Sequence, residues 1–146
     1  MANLEPLIQS IPVAPLKLAS LEGCRTLADQ VNNYLVSFRH ESPTNVGQAD
    51  SLQGYCADSY LLECECPRFG SGEGKGVLKE SVRGCDLFIM VDVTNYSLTY
   101  RVNGYENHMS PDNHYQDLKR IISAADGKAR RINVIMPFLY EGRQHK

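Results

Sequence analysis

The apolar positions of this chain change period several times, and each change marks an element. Residues 16–19 are a short apolar run that reads as an entry strand. Ser20 then stands where a helix N-cap would, and Cys24, Leu27, Val31, Tyr34, Leu35 and Phe38 fall on one helical stripe, which predicts a helix over 22–38. Residues 40–54 are rich in Ser, Asn, Gly and Asp, carry Pro43 and read as loop. From 60 to 69 the pattern alternates, with Leu62, Cys64 and Cys66 on one side and Leu61, Glu63 and Glu65 on the other. That is a half-exposed strand, ended by Pro67. Residues 86–93 are almost continuously apolar, as in a strand covered on both faces. A long polar loop with three tyrosines and Asn-containing turns follows over 94–109. Ser110-Pro111 supplies an N-cap and a first-turn proline. Tyr115, Leu118, Ile122 and Ala125 form a stripe, and Gly127 is a stop. Residues 131–138 read as a further buried strand. Strand, helix and strand in this order imply a right-handed parallel crossover, so the expected class is α/β. Ligands of such sheets collect beyond the carboxyl ends of the strands. The segments leaving those ends here are 94–109 and the polar run 140–146.

Composition narrows the picture. The 146 residues hold 15 Lys+Arg against 17 Asp+Glu, a formal charge of −2, which is no electrostatic footprint for nucleic acid or an anionic membrane surface. No apolar run approaches the roughly 20 residues that span a bilayer. Five cysteines cannot pair completely, and reduced thiols in a cytoplasmic protein are the simpler reading. Prolines at 6, 12 and 15 keep residues 1–15 extended, leaving 16–146 as one domain.

Four motifs bear on chemistry. The stretch from Phe69 to Gly76 places glycine at 70, 72, 74 and 76, but it lacks the Gly-Lys-Ser/Thr ending of a phosphate-binding loop. It reads instead as a flexible, exposed hairpin with Ser71, Glu73 and Lys75 on the opposite face. Cys64 and Cys66 have no second Cys/His pair at zinc spacing and read as core; no metal site is expected. His108 and His114 flank a helix start and read as solvent-facing. Arg143-Gln144-His145-Lys146 clusters donors after a strand, which suits either a nucleotide contact or a solvated tail. No nucleophile has a partner motif.

The run Glu80-Ser81-Val82-Arg83-Gly84-Cys85-Asp86-Leu87-Phe88-Ile89 closely resembles the segment that opens a core strand in the ribose-phosphate pyrophosphokinases, the phosphoribosyl pyrophosphate (PRPP) synthetases. Phe69 and Glu73 stand at the spacing of that family's Phe-x-Asn/Asp-x-Glu hairpin. Pro111-Asp112-Asn113 is similar to its helix start, and Pro137 precedes Arg143-Gln144 as in its Pro-Tyr-Phe-x-Tyr-Ala-Arg-Gln strand exit. The resemblance implies a phosphoribosyltransferase-like, Rossmann-like domain with a mostly parallel sheet, flanking helices and a Gly-rich hairpin. It also implies Mg²⁺-dependent transfer of diphosphate from ATP to ribose 5-phosphate. Arg143 and Gln144, with His145 and Lys146 beside them, would contact ATP. Phe69, Ser71 and Glu73 would reach the adenine held by a neighbouring copy in a homo-oligomer. Departures are Ser71 for Asn/Asp, Glu141-Gly142 for Tyr-Ala, His145 for Asp, and longer segments at 40–58 and 94–110. The family's Mg²⁺-binding His, basic loop and acidic PRPP loop have no counterpart. The expectation is an ATP-binding N-terminal half without synthetase activity of its own, or else a non-catalytic regulatory or oligomerisation subunit.

Overall fold

A computed structural model describes residues 12–41 and 54–143. Residues 1–11, 42–53 and 144–146, with the expectations placed on them, lie outside the described residues. Strand β1 (Leu16–Ser20) leads through a short 3₁₀ turn into helix α1 (Arg25–Glu41). Then come β2 (Leu61–Leu62), β3 (Cys64–Glu65), β4 (Val77–Leu78), β5 (Asp86–Met90), β6 (Thr99–Val102), β7 (Tyr105–His108), helix α2 (Pro111–Ala124) and β8 (Arg131–Ile135). The main sheet has the order β2-β1-β5-β8 and is parallel throughout. β3 pairs with β4 and β6 with β7 as separate antiparallel ribbons.

Alternation along the central strands sorts the core into two layers. Leu18, Phe88 and Met90 meet Cys24, Ala28 and Val31 of the α1 side. Ala19, Leu87, Ile89 and Val91 meet Leu118, Ile121 and Ala125 of the α2 side. Leu87, Ile89 and Ile121 are completely buried, each contributing about 1.5–3 kcal/mol of apolar transfer. One helix therefore packs on each face, and the β5–α2–β8 unit is the parallel crossover implied by the pattern. Ser110 caps α2 by accepting the Asn113 N–H at 3.2 Å, with Pro111 in the first turn. Left-handed Asp126 and Gly127 follow the helix end.

Several expectations are corrected. Ser20 is no cap: its hydroxyl donates to the Leu21 carbonyl, and the α-helix starts at Arg25. The buried line of α1 runs through Ala28 and Asn32, not Leu27 and Tyr34, which are exposed. Asn32 is held inside because its Oδ1 accepts the Tyr60 N–H at 2.8 Å, a polar bond that hydrophobic spacing does not reveal. The alternating strand over 60–69 is two short pieces. Its first joins β1, and after Leu62 the chain turns out to pair with β4. Strand β8 is not buried: it pairs only with β5 among the described residues, and Val134 and Ile135 are exposed.

Candidate functional site

The glycine-rich segment lies at the end of the β3–β4 ribbon. Cys64 pairs with Leu78 and Glu65 with Val77, and Arg68 bridges to Gly74. The turn closes with the Phe69 N–H donating to the Glu73 carbonyl at 2.7 Å and the Gly72 N–H to the Phe69 carbonyl at 2.9 Å. Gly72, at φ +88°, takes the left-handed conformation this requires. Phe69 is 54% exposed, and Ser71 and Glu73 are exposed beside it. The Ser71 hydroxyl turns back on its own turn, 3.4 Å from the Glu73 N–H.

Below the turn, glycine serves close approach rather than flexibility. A Cβ on Gly76 would lie 2.3 Å from the Arg120 carbonyl oxygen of α2, and one on Gly74 would meet the Arg68 and Arg120 guanidinium groups. Arg68 binds both oxygens of Asp117 at 2.8 Å, and Arg120 adds a third bond at 2.6 Å. Arg68 and Asp117 side chains are each only 6% exposed. Burial, and secondarily the Asp117 carboxylate, push the Cys66 thiol up to about 12; burial pushes Cys64 to about 11. Both remain protonated thiols near neutral pH, which removes them as nucleophiles.

The second candidate segment leaves β8. The Tyr140 ring stands edge-on to Tyr115 at 5.4 Å between ring centres. Its hydroxyl donates to Asp112 in the first turn of α2, and that bond first, with burial second, raises the phenol to about 12. The bond therefore persists across the physiological range. Asp112 and the strand exit, separated by 28 positions, are thus brought to one place. Glu141 follows at φ +59°, a conformation that strains a non-glycine residue, and Arg143 is exposed two positions later. Gln144, His145 and Lys146 lie outside the described residues. The ribbon that carries the 69–73 turn rests on α2 at Asp117 and Arg120 and the strand exit on its first turn, so the two candidate segments are held by different parts of one helix.

Sequence reasoning missed a third feature. The presumed polar loop over 94–109 contains the β6–β7 ribbon, turned by Asn103 (φ +53°) and Gly104 (φ +81°). An Asn-Gly pair with both residues left-handed is the signature of a tight hairpin, and that signal was available. Between this ribbon, the glycine-rich ribbon and the exit of β1 lies a cleft of about 500 Å³ whose lining includes Arg25, Cys66, Tyr100, Met109 and His114. His114 is not solvent-facing: it is 3% exposed, and its Nε2–H donates to the Asn95 carbonyl at 2.8 Å. Position 114 falls on the α2 face turned toward the loop after β5, which explains its burial. Among the described residues no three His, Cys, Asp or Glu side chains converge to hold a metal ion, and no helix is long and apolar enough to cross a membrane.

A parallel sheet with a helix on each face and loops gathered beyond its strands' carboxyl ends defines an α/β domain of the Rossmann-like, phosphoribosyltransferase-like class. Residues 16–146 match the family profile for the N-terminal domain of ribose phosphate pyrophosphokinase, and the chain belongs to that family. A comparison with curated proteins returned no match.

Proposed function

We propose that this chain is the ATP-binding N-terminal half of a ribose-phosphate diphosphokinase, which transfers diphosphate from ATP to ribose 5-phosphate, giving PRPP and AMP. The observation that carries the reading is the family match across 16–146, which includes every motif residue named for nucleotide contact. The geometry supports it chemically. Arg143 is exposed on the turn that follows Tyr140, whose hydroxyl is tied to α2, which places a cationic side chain at the exit of β8, the charge that suits a phosphate. Phe69 offers an exposed ring for stacking, and Glu73 an acceptor beside it.

Among the described residues no three His, Cys, Asp or Glu side chains gather around a common point for a divalent cation. In this reading the ion arrives with the ATP phosphates and with ligands not drawn from this domain. Phe69, Ser71 and Glu73 reach a neighbouring copy's nucleotide in a homo-oligomer. Glu141 favours a second reading, a non-catalytic subunit of the same fold, because it sets a carboxylate two positions from Arg143.

The test combines two measurements on the 146-residue chain. Calorimetry with ATP and Mg²⁺ is expected to show binding that weakens about tenfold or more in Arg143→Ala, the loss of one charge-assisted contact. Incubation with ribose 5-phosphate in addition is expected to yield no AMP. Binding unaffected by Arg143→Ala would overturn the site; AMP above background would overturn the inactive-half reading.

A further inference from the structure

The β6–β7 ribbon has no role in the function proposed above, yet it touches the glycine-rich ribbon at two levels. Near the base, the Arg68 guanidinium lies 5.1 Å from the centre of the Tyr100 ring. At the tip, Asn103 Nδ2 donates to the Gly70 carbonyl at 3.0 Å, and Asn103 Oδ1 lies 3.4 Å from where a Gly70 Cβ would stand. Asn103 occupies the left-handed turn position of its own hairpin, so its side chain is delivered by the two-residue turn rather than by a flexible loop. The other face of the ribbon is solvent-exposed, with Arg101 and Glu106 meeting only at 3.6 Å.

We propose that the β6–β7 ribbon is a brace, with Asn103 and Tyr100 as positioning residues that hold the 69–73 turn in the shape in which Phe69 and Glu73 meet a nucleotide. The inference rests on the nucleotide-facing reading of that turn. The physical argument is one of ordering. An exposed turn with glycines at 70 and 72 has many accessible backbone states, and each one frozen before binding lowers the cost of binding. Arg68 is already fixed by Asp117, so a ring laid against its guanidinium registers the base of one ribbon against the other. The carbonyl that Asn103 captures belongs to Gly70, the residue directly after Phe69 and a point of maximal backbone freedom.

The closing experiment reads the turn and the nucleotide separately. The Phe69 and Gly72 amides are hydrogen-bonded within the turn, so their hydrogen exchange reports its opening. In Asn103→Gly, which keeps the left-handed turn and removes the side chain, their exchange is expected to rise about three- to tenfold, the effect of losing one exposed hydrogen bond. The Met109 amide, which closes the base of the second ribbon, should stay protected. Asn103→Asp, which keeps the backbone preference but lacks the N–H donor, should give the same rise. It carries the test should the glycine variant loosen its own ribbon. Tyr100→Leu should also raise exchange, and Tyr100→Phe should restore it. Unchanged exchange in both Asn103 variants would overturn the brace. A parallel titration of the chain with ATP and Mg²⁺ should show weaker binding wherever exchange rises. Faster exchange with unaltered ATP binding would leave the brace standing and overturn the nucleotide-facing reading of the turn.

Discussion

The β3–β4 ribbon lies close on helix α2. Gly76 lets its backbone approach that of Arg120, Gly74 leaves room for the Arg68 and Arg120 guanidinium groups, and the Arg68–Asp117–Arg120 cluster closes the contact away from water. The β6–β7 ribbon has a similar two-stranded build but shows one face to solvent, and it meets its neighbour through Tyr100 and Asn103. The difference teaches that pairing alone does not make a ribbon rigid. The first ribbon takes its firmness from buried charge and from the absence of side chains at two glycines. The second joins that stiff base through Tyr100 and, as proposed, steadies the exposed turn through Asn103. The 69–73 turn thus has a stiff base and an exposed tip, which suits the contact proposed for it with a neighbouring copy's nucleotide.

The largest effect should come from removing the shared carboxylate. Asp117→Ala leaves Arg68 buried without its counter-charge and is expected to cost about 3–5 kcal/mol in denaturant unfolding, with the turn amides deprotected first. A loss under about 1 kcal/mol would mean that the cluster does not anchor the ribbon. Gly76→Ala comes next, at about 1–3 kcal/mol, because the added methyl meets helix backbone rather than a movable side chain. The same midpoint as the parent protein would show that the ribbon can stand off from α2 freely. Smallest is Arg101→Gln on the second ribbon. Its ion pair with Glu106 is long and both side chains are more than half exposed, so a change of at most about 0.5 kcal/mol is expected in the same measurement. A larger loss would contradict the contrast between the two ribbons.

Residues whose role is purely apolar and periodic were legible in the sequence. The run 86–93, the stripe Leu118–Ile122–Ala125 and the Ser110-Pro111 start gave β5 and α2 nearly as they stand. What periodicity could not show were positions decided by one polar bond or one close approach. Asn32 is buried because it captures the Tyr60 amide, and His114 because Asn95 offers a carbonyl. The glycines at 74 and 76 looked like flexibility, since a missing side chain reads the same whether it frees a chain or admits a neighbour. Strand β8 looked buried because Ile132, Val134 and Ile135 are apolar, yet burial depends on what lies alongside. The proposed nucleotide-site residues came chiefly from motif resemblance, with pattern offering only the donor cluster after the last strand. Their spacing spans two loops that only the fold brings onto one helix, through Arg68 and Asp117 at one end and Tyr140 and Asp112 at the other.

ATP is proposed to bind this domain at the exit of β8. The most direct test is an amide-resolved NMR titration of the 146-residue chain with ATP and Mg²⁺. The account predicts saturable shifts at Glu141, Gly142 and Arg143, carried through Tyr140 to Asp112 and Asn113, and joined by Phe69 and Glu73 as copies associate. Saturable shifts confined to other parts of the molecule, or none at millimolar ATP, would contradict it.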